Sequence, residues 1–395
     1  MRILFCNYEY PPLGGGGGVI NSLLAEELAK RHEVTVLTSR GPGLPAESND
    51  NGVRVVRVPV LFRRQQMAAN LASMFAYMVM GIKAGRRHLL GTTYDVINTH
   101  FVLPSGPVGD ALARFGHVPN VLSVHGGDLY DPSKWTSPHH HIVLRAWVKI
   151  LLKRADKVVG QSRNTLDNVQ RFYLSDLESV RIPLGIKRPM EGIAVRDQYG
   201  FHPDDILLVT VGRLIARKAI DQLIAMIASM KAANTHLLVL GTGPQEQSLR
   251  AQAKQLNVGD RVHFLGYVDE TEKFRLLRMA DIYVSTSQHE GFGLVFLEAM
   301  ACGLPVVCYD HGGQTDFLES GVTGHLVPLN DTVEFERCCS ALIIDRLLQK
   351  KMSLENLRRV EAYYIDHCAQ QYETVFEQAI VAYQKEQALG NPYRP

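Results

Sequence analysis

Short apolar runs rich in β-branched residues alternate with longer segments of helical periodicity along the first half of the chain. Polar or glycine-containing connections separate these runs, which occupy residues 3–5, 34–37, 53–58, 96–98, 121–124 and 158–159. Such alternation is typical of a parallel sheet whose strands are joined by crossover helices. The first half is therefore predicted to be a doubly wound α/β domain.

The alternating pattern is interrupted once and then restarts. Residues 185–200 contain glycine, proline and scattered charges, which predict a linker, and five further apolar runs follow at residues 206–211, 237–240, 262–265, 282–285 and 306–308. We predict an N-terminal domain over residues 1–186, a linker over 187–205 and a second α/β domain over 206–366. The last segment, 367–395, is mostly helical in pattern, and we expect it to pack back on the first domain.

Two such domains predict where a ligand binds. Open α/β sheets bind ligands in the crevice beyond the carboxyl ends of their strands. We therefore expect the active site in a cleft between the two domains. The length of 395 residues agrees with this division, because it exceeds what one hydrophobic core usually organises.

Composition excludes an integral membrane protein. Hydrophobic residues make up 46% of the chain and charged residues 21%, and no run of eighteen uncharged apolar residues predicts a membrane span. The N-terminus enters a strand-like run without the apolar stretch of a secretory signal. The six cysteines show no paired spacing typical of zinc or redox motifs. We expect a cytoplasmic protein.

Charge is distributed unevenly along the chain. Residues 1–190 carry 23 Lys and Arg against 14 Asp and Glu, a balance of +9, and the remaining residues carry 19 against 26, a balance of −7. The two halves are therefore expected to face different partners.

The segment with the clearest chemistry is residues 285–307, STSQHEGFGLVFLEAMACGLPVV. A turn with two glycines is predicted to follow a strand there, and a helix begins near Leu294. Free backbone N–H groups and the partial positive charge at a helix start suit a diphosphate. Glu298, about one turn into the helix, can accept hydrogen bonds from a ribose diol. Glu290, before the helix, can reach a sugar beyond the phosphates.

The spacing of Glu290 and Glu298 resembles the Glu-x7-Glu signature of the retaining GT4 glycosyltransferases, which have the GT-B fold of two Rossmann-like domains facing a central cleft. The resemblance implies that Glu290 contacts donor-sugar hydroxyls and that Glu298 contacts the nucleotide ribose. It also implies that the intervening loop and helix start bind the donor, through Gly291, Phe292, Gly293 and Leu294. The chain would thus move a sugar from a nucleotide-diphosphate donor to an acceptor hydroxyl.

A second element of the resemblance follows the first strand of the second domain. Residues 209–221, VTVGRLIARKAID, resemble the family's Gly-Arg-Leu-x-x-x-Lys-Gly motif, with Ala219 where glycine is usual. The likeness implies that Arg213 and Lys218 bind the diphosphate and stabilise the leaving nucleotide. The alternative is that both are solvated charges at a helix start.

Glycine turns extend the resemblance into both domains. The turn with Gly241 and Gly243, and the loop with Tyr267 and Val268, resemble the family's backbone contacts to the nucleobase, although a purely structural turn is the alternative. In the first domain, residues 10–19, YPPLGGGGGV, resemble the Pro-Pro-x-x-Gly-Gly loop. That likeness implies that the backbone amides of this loop approach the donor phosphates, at Gly16 and Gly17.

Two histidines follow predicted strands of the first domain. His125 and Asp128 belong to a segment that resembles the family's His-Gly-x-Asp, which implies that His125 sits under the donor sugar and that Asp128 orients the loop. His100 has the same topological position, and we expect it to line the acceptor pocket. The alternative for a single histidine is a satisfied structural residue.

No metal and no other cofactor is expected. The chain has no Asp-x-Asp pair, and the adjacent histidines of residues 139–141 cannot share one face of a helix. Arginine, lysine and helix-start amides would replace the cation. The family resemblance implies retention of configuration, and the nucleotide sugar is a substrate.

The acceptor is left open as a glycan, a glycolipid or a small molecule, and no nucleic acid is expected. Two segments that combine basic and apolar residues, 63–87 and 145–153, would suit an anionic membrane surface at the cytoplasmic face, or they are ordinary domain helices. The enzymatic alternatives are a nucleotide-sugar epimerase or a phosphorylase of the same fold. A non-catalytic sugar-nucleotide-binding subunit is the other alternative.

Overall fold

The chain divides into two compact α/β units. The computed structural model describes residues 1–14, 16–61, 70–131, 135–189, 192, 195–230 and 232–389. Unit 1 comprises Met1–Gly185 together with a segment that begins at Ile365, and unit 2 is Ile186–Tyr364. Each unit has a sheet of mostly parallel strands between helices, so the fold class predicted from the sequence is confirmed.

Unit 1 is built on a sheet in which eight strands lie among the described residues. They are β1 (Arg2–Cys6), β2 (Glu33–Arg40), β3 (Glu47–Asp50), β4 (Val53–Pro59), β5 (Val96–His100), β6 (Asn120–Val124), β7 (Lys157–Gly160) and β8 (Val180–Arg181). Their spatial order is β3-β4-β2-β1-β5-β6-β7-β8, and only β3 and β4 pair antiparallel. In register, Ile3 lies between Val34 and Val96. The carboxyl ends of β1, β5 and β6 therefore meet at one edge.

Helices cover both faces of this sheet. In the described part of unit 1 they are α1 (Gly16–Ala29), α2 (Leu71–Gly91), α3 (Ser105–Gly116), α4 (Ile142–Arg154), α5 (Arg163–Phe172) and α12 (Ile365–Ala388). Alternate strand residues face opposite sides: Ile3 and Phe5 are buried against α1 and α12, whereas Leu4 and Ile97 are buried against α2 and α3. Burial on both faces explains why these strands are almost continuously apolar.

The C-terminal helix α12 belongs to the core of unit 1. Its buried residues recur at helical spacing, and Tyr372 and Phe376 pack in the same cluster as Ile3 and Val96. An apolar stripe of this period must be covered by another element. The stripe explains why the chain returns to unit 1 after completing unit 2.

Unit 2 contains a sheet of six described strands, all parallel. They are β9 (Ile206–Val211), β10 (Thr235–Leu240), β11 (Val262–Gly266), β12 (Ile282–Ser285), β13 (Val306–Tyr309) and β14 (Gly324–Val327), in the spatial order β11-β10-β9-β12-β13-β14. The helices are α6 (Ile220–Ser229), α7 (Glu246–Gln255), α8 (Glu270–Met279), α9 (Leu294–Ala301), α10 (Thr332–Ile344) and α11 (Arg346–Val360). Because β9 and β12 are parallel neighbours, the loops that follow them leave the same edge of the sheet.

The segment predicted as a linker, residues 187–205, lies within unit 2. Its described part includes a 3-10 turn, Arg196–Tyr199. The Arg196 guanidinium donates to the backbone oxygen of Asp205 at 2.6 Å and to Asp281 Oδ2 at 3.0 Å. These bonds attach the turn to the sheet, and neither could be recognised from the glycine and proline content that predicted a linker.

Candidate functional site

In unit 2, Glu290 and Glu298 lie on either side of the start of α9, and each is paired with a lysine. Glu290 belongs to the loop between β12 and α9, and Lys218 Nζ donates to its Oε1. Arg217 Nη1 lies 3.4 Å from its Oε2 and also donates to the backbone oxygen of His289. Arg217 and Lys218 end the 3-10 turn that precedes α6. The loop after β9 is therefore attached to the loop after β12 through Glu290.

Opposing effects set the charge of Glu290. Burial raises the pKa of this carboxyl, which is 8% exposed, but Lys218 and Arg217 outweigh that effect and hold the pKa below its ordinary value. Glu290 is therefore ionised at neutral pH. Its oxygens can accept hydrogen bonds from ligand hydroxyls, which would free the two cations to bind phosphate.

Backbone geometry explains why glycine is usual at the position of Ala219. Ala219 precedes α6 with φ 46° and ψ 42°, in the left-handed region. A side chain in that region costs roughly 1–2 kcal/mol, which glycine avoids. With alanine in place of glycine, the chain therefore keeps the turn and the cations Arg213 and Lys218, but its backbone is strained at this position.

Glu298 has one satisfied oxygen and one unsatisfied oxygen. Its Oε1 lies 2.8 Å from Nζ of Lys273 on α8, and the same ammonium contacts both carboxylate oxygens of Glu270. Oε2 is buried and has no hydrogen-bond donor in the part of the chain that the structure describes. Burial raises the pKa of Glu298, and Lys273 offsets only part of that rise. A ligand hydroxyl would supply the missing donor.

The segment between the two glutamates is shaped by glycine. Gly293 has φ 91° and stands directly before Leu294, the first residue of α9. A Cβ on Gly313 would overlap the backbone of Gly291, so the loop after β13 packs tightly on this segment. The side chain of Phe292 is buried, so any contact of this residue with a ligand would have to come from its backbone.

The turns after β9 and β10 also pack closely. A Cβ on Gly241 would overlap the backbone oxygen of Gly212, and a Cβ on Gly243 would overlap the backbone of Leu214. Close packing therefore explains why both residues are glycine, as expected if the turn is purely structural. Their backbone groups nevertheless border the turn that carries Arg213.

Three further predicted residues border these turns. Arg213 is exposed, and its guanidinium makes no hydrogen bond or ion pair with another residue of the described ranges. Tyr267 is exposed and Val268 is half-buried on the loop after β11. This loop is attached to the turn after β10, because the N–H of Gly241 donates to the oxygen of Gly266 at 2.7 Å.

In unit 1, a buried chain of hydrogen bonds ends at His125. Tyr372 of α12 donates to Ser123 Oγ at 3.0 Å, Ser123 donates to Asn98 Oδ1 at 3.2 Å, and Asn98 Nδ2 lies 2.8 Å from His100 Nε2. With Asn98 as the donor, His100 Nδ1 carries a proton and donates to His125 Nε2 at 3.0 Å. The proton of a neutral His125 is then on Nδ1, and the side chain of Gln161 also forms a hydrogen bond with this histidine.

Burial keeps both histidines neutral. It lowers the pKa of His125 to about 4 and lowers the pKa of His100 well below its ordinary value. His100 is 1% exposed and lies behind His125, whereas we expected it to line an acceptor pocket. The structure therefore makes His100 a support for His125, and the reason is that β5 directs this side chain into the core.

Backbone contacts fix the loop of His125. Asp128 accepts hydrogen bonds from the N–H groups of His125 at 2.9 Å and Val102 at 2.7 Å, and Gln161 Nε2 donates to the oxygen of His125 at 2.6 Å. Burial raises the pKa of Asp128 to about 6, although the backbone N–H groups act in the opposite direction. Asp128 thus orients the loop that carries the histidine.

The glycine loop of unit 1 approaches the same place. Phe101, with φ 68°, stacks on His125 at a centroid distance of 4.2 Å, and a Cβ on Gly17 would overlap the ring of Phe101. Gly16 is the first residue of α1. The structure therefore brings the start of α1 and His125 together through Phe101.

Sequence reasoning missed Arg217, Lys273, Phe101 and Gln161. Arg217 adjoins Lys218 in the motif and could have been included for that reason. Lys273 follows Glu270 by three residues on a helix, a spacing typical of solvated ion pairs. No sequence signal connects Lys273 with Glu298, because that contact depends on the packing of α8 beside α9.

The adjacent histidines make other contacts. His139 Nδ1 lies 2.8 Å from Ser137 Oγ, and His141 Nε2 lies 2.8 Å from the backbone oxygen of Trp135. Across the described residues, no group of three or more His, Cys, Asp or Glu is arranged to hold a metal ion. In the same part of the chain, no helix has both the length and the apolar character that crossing a lipid bilayer requires.

Two profiles of known protein families together match most of the chain. A profile of the family described as Glycosyl transferases group 1 matches residues 193–358, and one described as Glycosyl transferase 4-like domain matches residues 15–185. The glycogen synthase of Mycobacterium tuberculosis (strain ATCC 25618 / H37Rv) is 30% identical over 353 residues, which cover 82% of this chain and 81% of the relative.

Solved structures with the same fold include a sucrose-phosphate synthase and the Anabaena protein HepE. Sucrose-phosphate synthase from Thermosynechococcus elongatus superposes with a TM-score of 0.84 at 24% identity, over 97% of this chain and 100% of the other. Anabaena HepE, solved in complex with UDP and glucose, superposes with a TM-score of 0.75 at 20% identity, over 96% and 100% of the two chains. At these identities the structural matches establish the fold, which is GT-B.

Proposed function

We propose that this chain, which belongs to the glycosyl transferases group 1 family and is a glycosyltransferase, moves a sugar from a nucleoside-diphosphate donor to an acceptor hydroxyl with retention of configuration. The main support is a pair of carboxylate side chains that are only 11% and 12% exposed. Ionised Glu290, held by two cations, suits contact with the reacting sugar, and Glu298, with an unsatisfied oxygen, suits the ribose. The start of α9 between them suits the diphosphate.

The proposed reaction uses no protein nucleophile. The bond between the anomeric carbon and the phosphate oxygen breaks, and the acceptor oxygen forms its bond on the same face of the sugar. The acceptor proton passes to the departing phosphate oxygen. Arg213 and Lys218 stabilise the negative charge on the leaving diphosphate. In this proposal His125 contacts the donor sugar as a neutral ring and so adds no positive charge beside the reacting carbon.

The proposed reaction is also independent of metal ions. Lys218, Arg217 and Arg213 supply positive charge where a metal-dependent enzyme would place a divalent cation. We expect full activity in excess EDTA, measured as nucleoside diphosphate released in the presence of acceptor. Loss of activity in EDTA that magnesium or manganese restores would contradict this part of the proposal.

UDP is the first nucleotide to test. The structure of HepE, which shares the fold, contains UDP. At 20% identity this observation describes HepE and serves here only to choose the first nucleotide. Thermal shift with UDP, GDP and ADP should identify the base, because a ligand that binds only the folded state raises its stability by RT ln(1 + [L]/Kd). The retaining outcome is tested by the anomeric configuration of the product in proton NMR.

For the acceptor we propose a lipid-linked or otherwise anionic molecule used at the cytoplasmic face of a membrane. Helix α2 exposes Leu71, Phe75 and Val79 along one face, and α4 exposes Ile142 and Val143 in its first turn. Along the chain, α2 follows β4 and α4 follows β6 of the unit 1 sheet. Exposed large apolar side chains of this kind suit insertion between lipid headgroups.

Basic residues of the same helices support this proposal in part. Lys83, Arg86 and Arg87 on α2 and Lys153 on α4 are exposed, and each basic residue near an anionic surface contributes about 1 kcal/mol. Arg145, which we expected on the same face as Lys153, instead donates to the backbone oxygen of Phe172 at 3.0 Å. The residues Arg63 and Arg64 of this prediction lie outside the described ranges.

Vesicle co-sedimentation tests the membrane proposal. The chain should bind vesicles that contain phosphatidylglycerol at low salt, and a variant with Phe75→Ser and Ile142→Ser should bind much less. The matched control is Leu347→Ser, which removes an exposed apolar side chain from α11 of unit 2. Absence of binding by the wild type to anionic vesicles would indicate a water-soluble acceptor.

A further inference from the structure

A buried lysine on α8 connects Glu298 with a carboxylate at the surface. Lys273 Nζ lies 2.8 Å from Glu298 Oε1, 2.8 Å from Glu270 Oε1 and 2.9 Å from Glu270 Oε2. The side chains of Lys273 and Glu298 are 10% and 12% exposed, whereas that of Glu270 is 74% exposed. The ammonium has three N–H donors, and the three carboxylate contacts account for all of them. Lys273 is therefore not free to bind phosphate.

The charges of Lys273 and Glu298 depend on each other. Burial lowers the pKa of Lys273, but Glu298 and Glu270 outweigh that effect, so the lysine stays charged. Glu298 has no other cation in contact with it among the described residues. Without Lys273, a carboxylate that is only 12% exposed would have no cation in contact with it, and its protonated form would be favoured.

We propose that Lys273 is a positioning residue for nucleotide recognition: it holds Glu298 through Oε1 as an ionised carboxylate and thereby leaves Oε2 to accept hydrogen bonds from the ribose diol. This inference rests on the proposed nucleoside-diphosphate donor. The unsatisfied Oε2 is the independent observation that points to a ligand hydroxyl at this position. Lys273 acts through Glu298 and contacts no part of the nucleotide itself.

This role predicts selectivity for the sugar of the nucleotide. A nucleotide that lacks the 2′ and 3′ hydroxyls leaves Oε2 without a donor whether or not Lys273 is present. Removal of Lys273 should therefore weaken the binding of UDP and have little effect on the weaker binding of 2′,3′-dideoxy-UDP. A lysine that only stabilised the fold would affect both nucleotides alike.

The experiment compares Kd values of UDP and 2′,3′-dideoxy-UDP for the full chain by calorimetry, with the corresponding GDP or ADP pair if the wild type binds one of those instead. Lys273→Met should weaken UDP binding at least tenfold and bring its Kd near that of the dideoxy form. Lys273→Arg should keep most of the preference. Lys254→Met, an exposed charge on α7, is the matched control and should bind as the wild type does.

The pH dependence of binding gives a second measurement. Because protonation of Glu298 weakens it as an acceptor, UDP affinity should fall as pH falls, and in Lys273→Met or Lys273→Gln this fall should begin at higher pH than in the wild type. Equal weakening of both nucleotides, or an unchanged ratio of their Kd values, would overturn the role of Lys273. Failure of the wild type to bind any of the three nucleoside diphosphates would instead overturn the proposed donor.

Discussion

Arg213 and Lys218 have the same assigned role but different surroundings. Lys218 pairs with buried Glu290, whereas Arg213 is exposed and makes no ion pair in the described structure. A diphosphate would therefore have to compete with Glu290 for Lys218 and would meet Arg213 without competition. Both cations would then contact a leaving group whose negative charge grows in the transition state.

We predict that Arg213→Ala and Lys218→Ala each lower kcat/KM by about a hundredfold, as the loss of a charged contact to a developing anion typically does. Steady-state kinetics of nucleotide release measure the effect. Lys254→Ala removes an exposed charge from the same unit and serves as the control. If Lys218→Ala retained wild-type kcat/KM, Lys218 would be a partner of Glu290 only.

His125 makes the stability of unit 1 depend on pH. Burial lowers its pKa to about 4 in the folded protein, against 6.5 in an unfolded chain. The unfolded state therefore binds a proton more readily, so the contribution is fully present above pH 6.5 and is lost as pH falls toward 4. When the pH falls from 7 to 5, this one group lowers the free energy of unfolding by about 2 kcal/mol.

We predict that His125→Gln removes about 2 kcal/mol from the difference in unfolding free energy between pH 7 and pH 5. Urea unfolding at the two pH values measures it. His367→Gln, at an exposed position of α12 in the same unit, is the control. An unchanged pH dependence in His125→Gln would show that the histidine is not buried in its neutral form.

At the scale of elements, the 3-10 turn before α6 stores strain at Ala219, whose φ is 46°. We predict that Ala219→Gly stabilises the protein by up to about 1 kcal/mol, because relief of the left-handed side chain exceeds the entropy that glycine loses on folding. Ala216→Gly, at the start of the same turn, should destabilise it. Urea unfolding of both variants is the measurement, and a destabilising Ala219→Gly would contradict the strain.

The sequence predicts the buried strands well and the edge strands poorly. Strands β1, β5 and β9 are covered on both faces, so their apolar runs are visible in the sequence. Strand β3 has the sequence ESND and lies at the sheet edge, where backbone pairing with β4 holds it without an apolar face. Strand β8 is two residues long and gives no periodicity to detect.

The same limit applies to the candidate site. Glu290, Glu298, Arg213 and Lys218 stand within short motifs whose spacing could be recognised along the chain. The hydrogen-bond chain behind His125 joins residues of β5, β6 and α12, and its bond between Tyr372 and Ser123 spans 249 positions. Contacts of that range arise from the packing of α12 on the sheet, so no local pattern predicts them.

At the scale of the whole molecule, charge is divided between the two halves of the chain. Residues 1–190 carry a balance of +9 and the remaining residues −7. The proposed donor is an anion, yet the half that carries Glu290 and Glu298 is negative overall, so in this proposal local cations rather than net charge attract the diphosphate. The positive half is then left to attract an anionic acceptor, and raising the salt concentration should weaken acceptor binding more than donor binding.

The central claim is that Glu298 binds the nucleotide while Glu290 acts on the reacting sugar. The most direct measurement combines calorimetric Kd values for UDP, GDP and ADP with kcat for the wild type, Glu298→Ala and Glu290→Gln. We predict that one of the nucleotides binds the wild type, that Glu298→Ala weakens this binding by tenfold or more, and that Glu290→Gln binds it normally but lowers kcat strongly. Wild-type activity in Glu290→Gln, or unchanged nucleotide affinity in Glu298→Ala, would contradict the account.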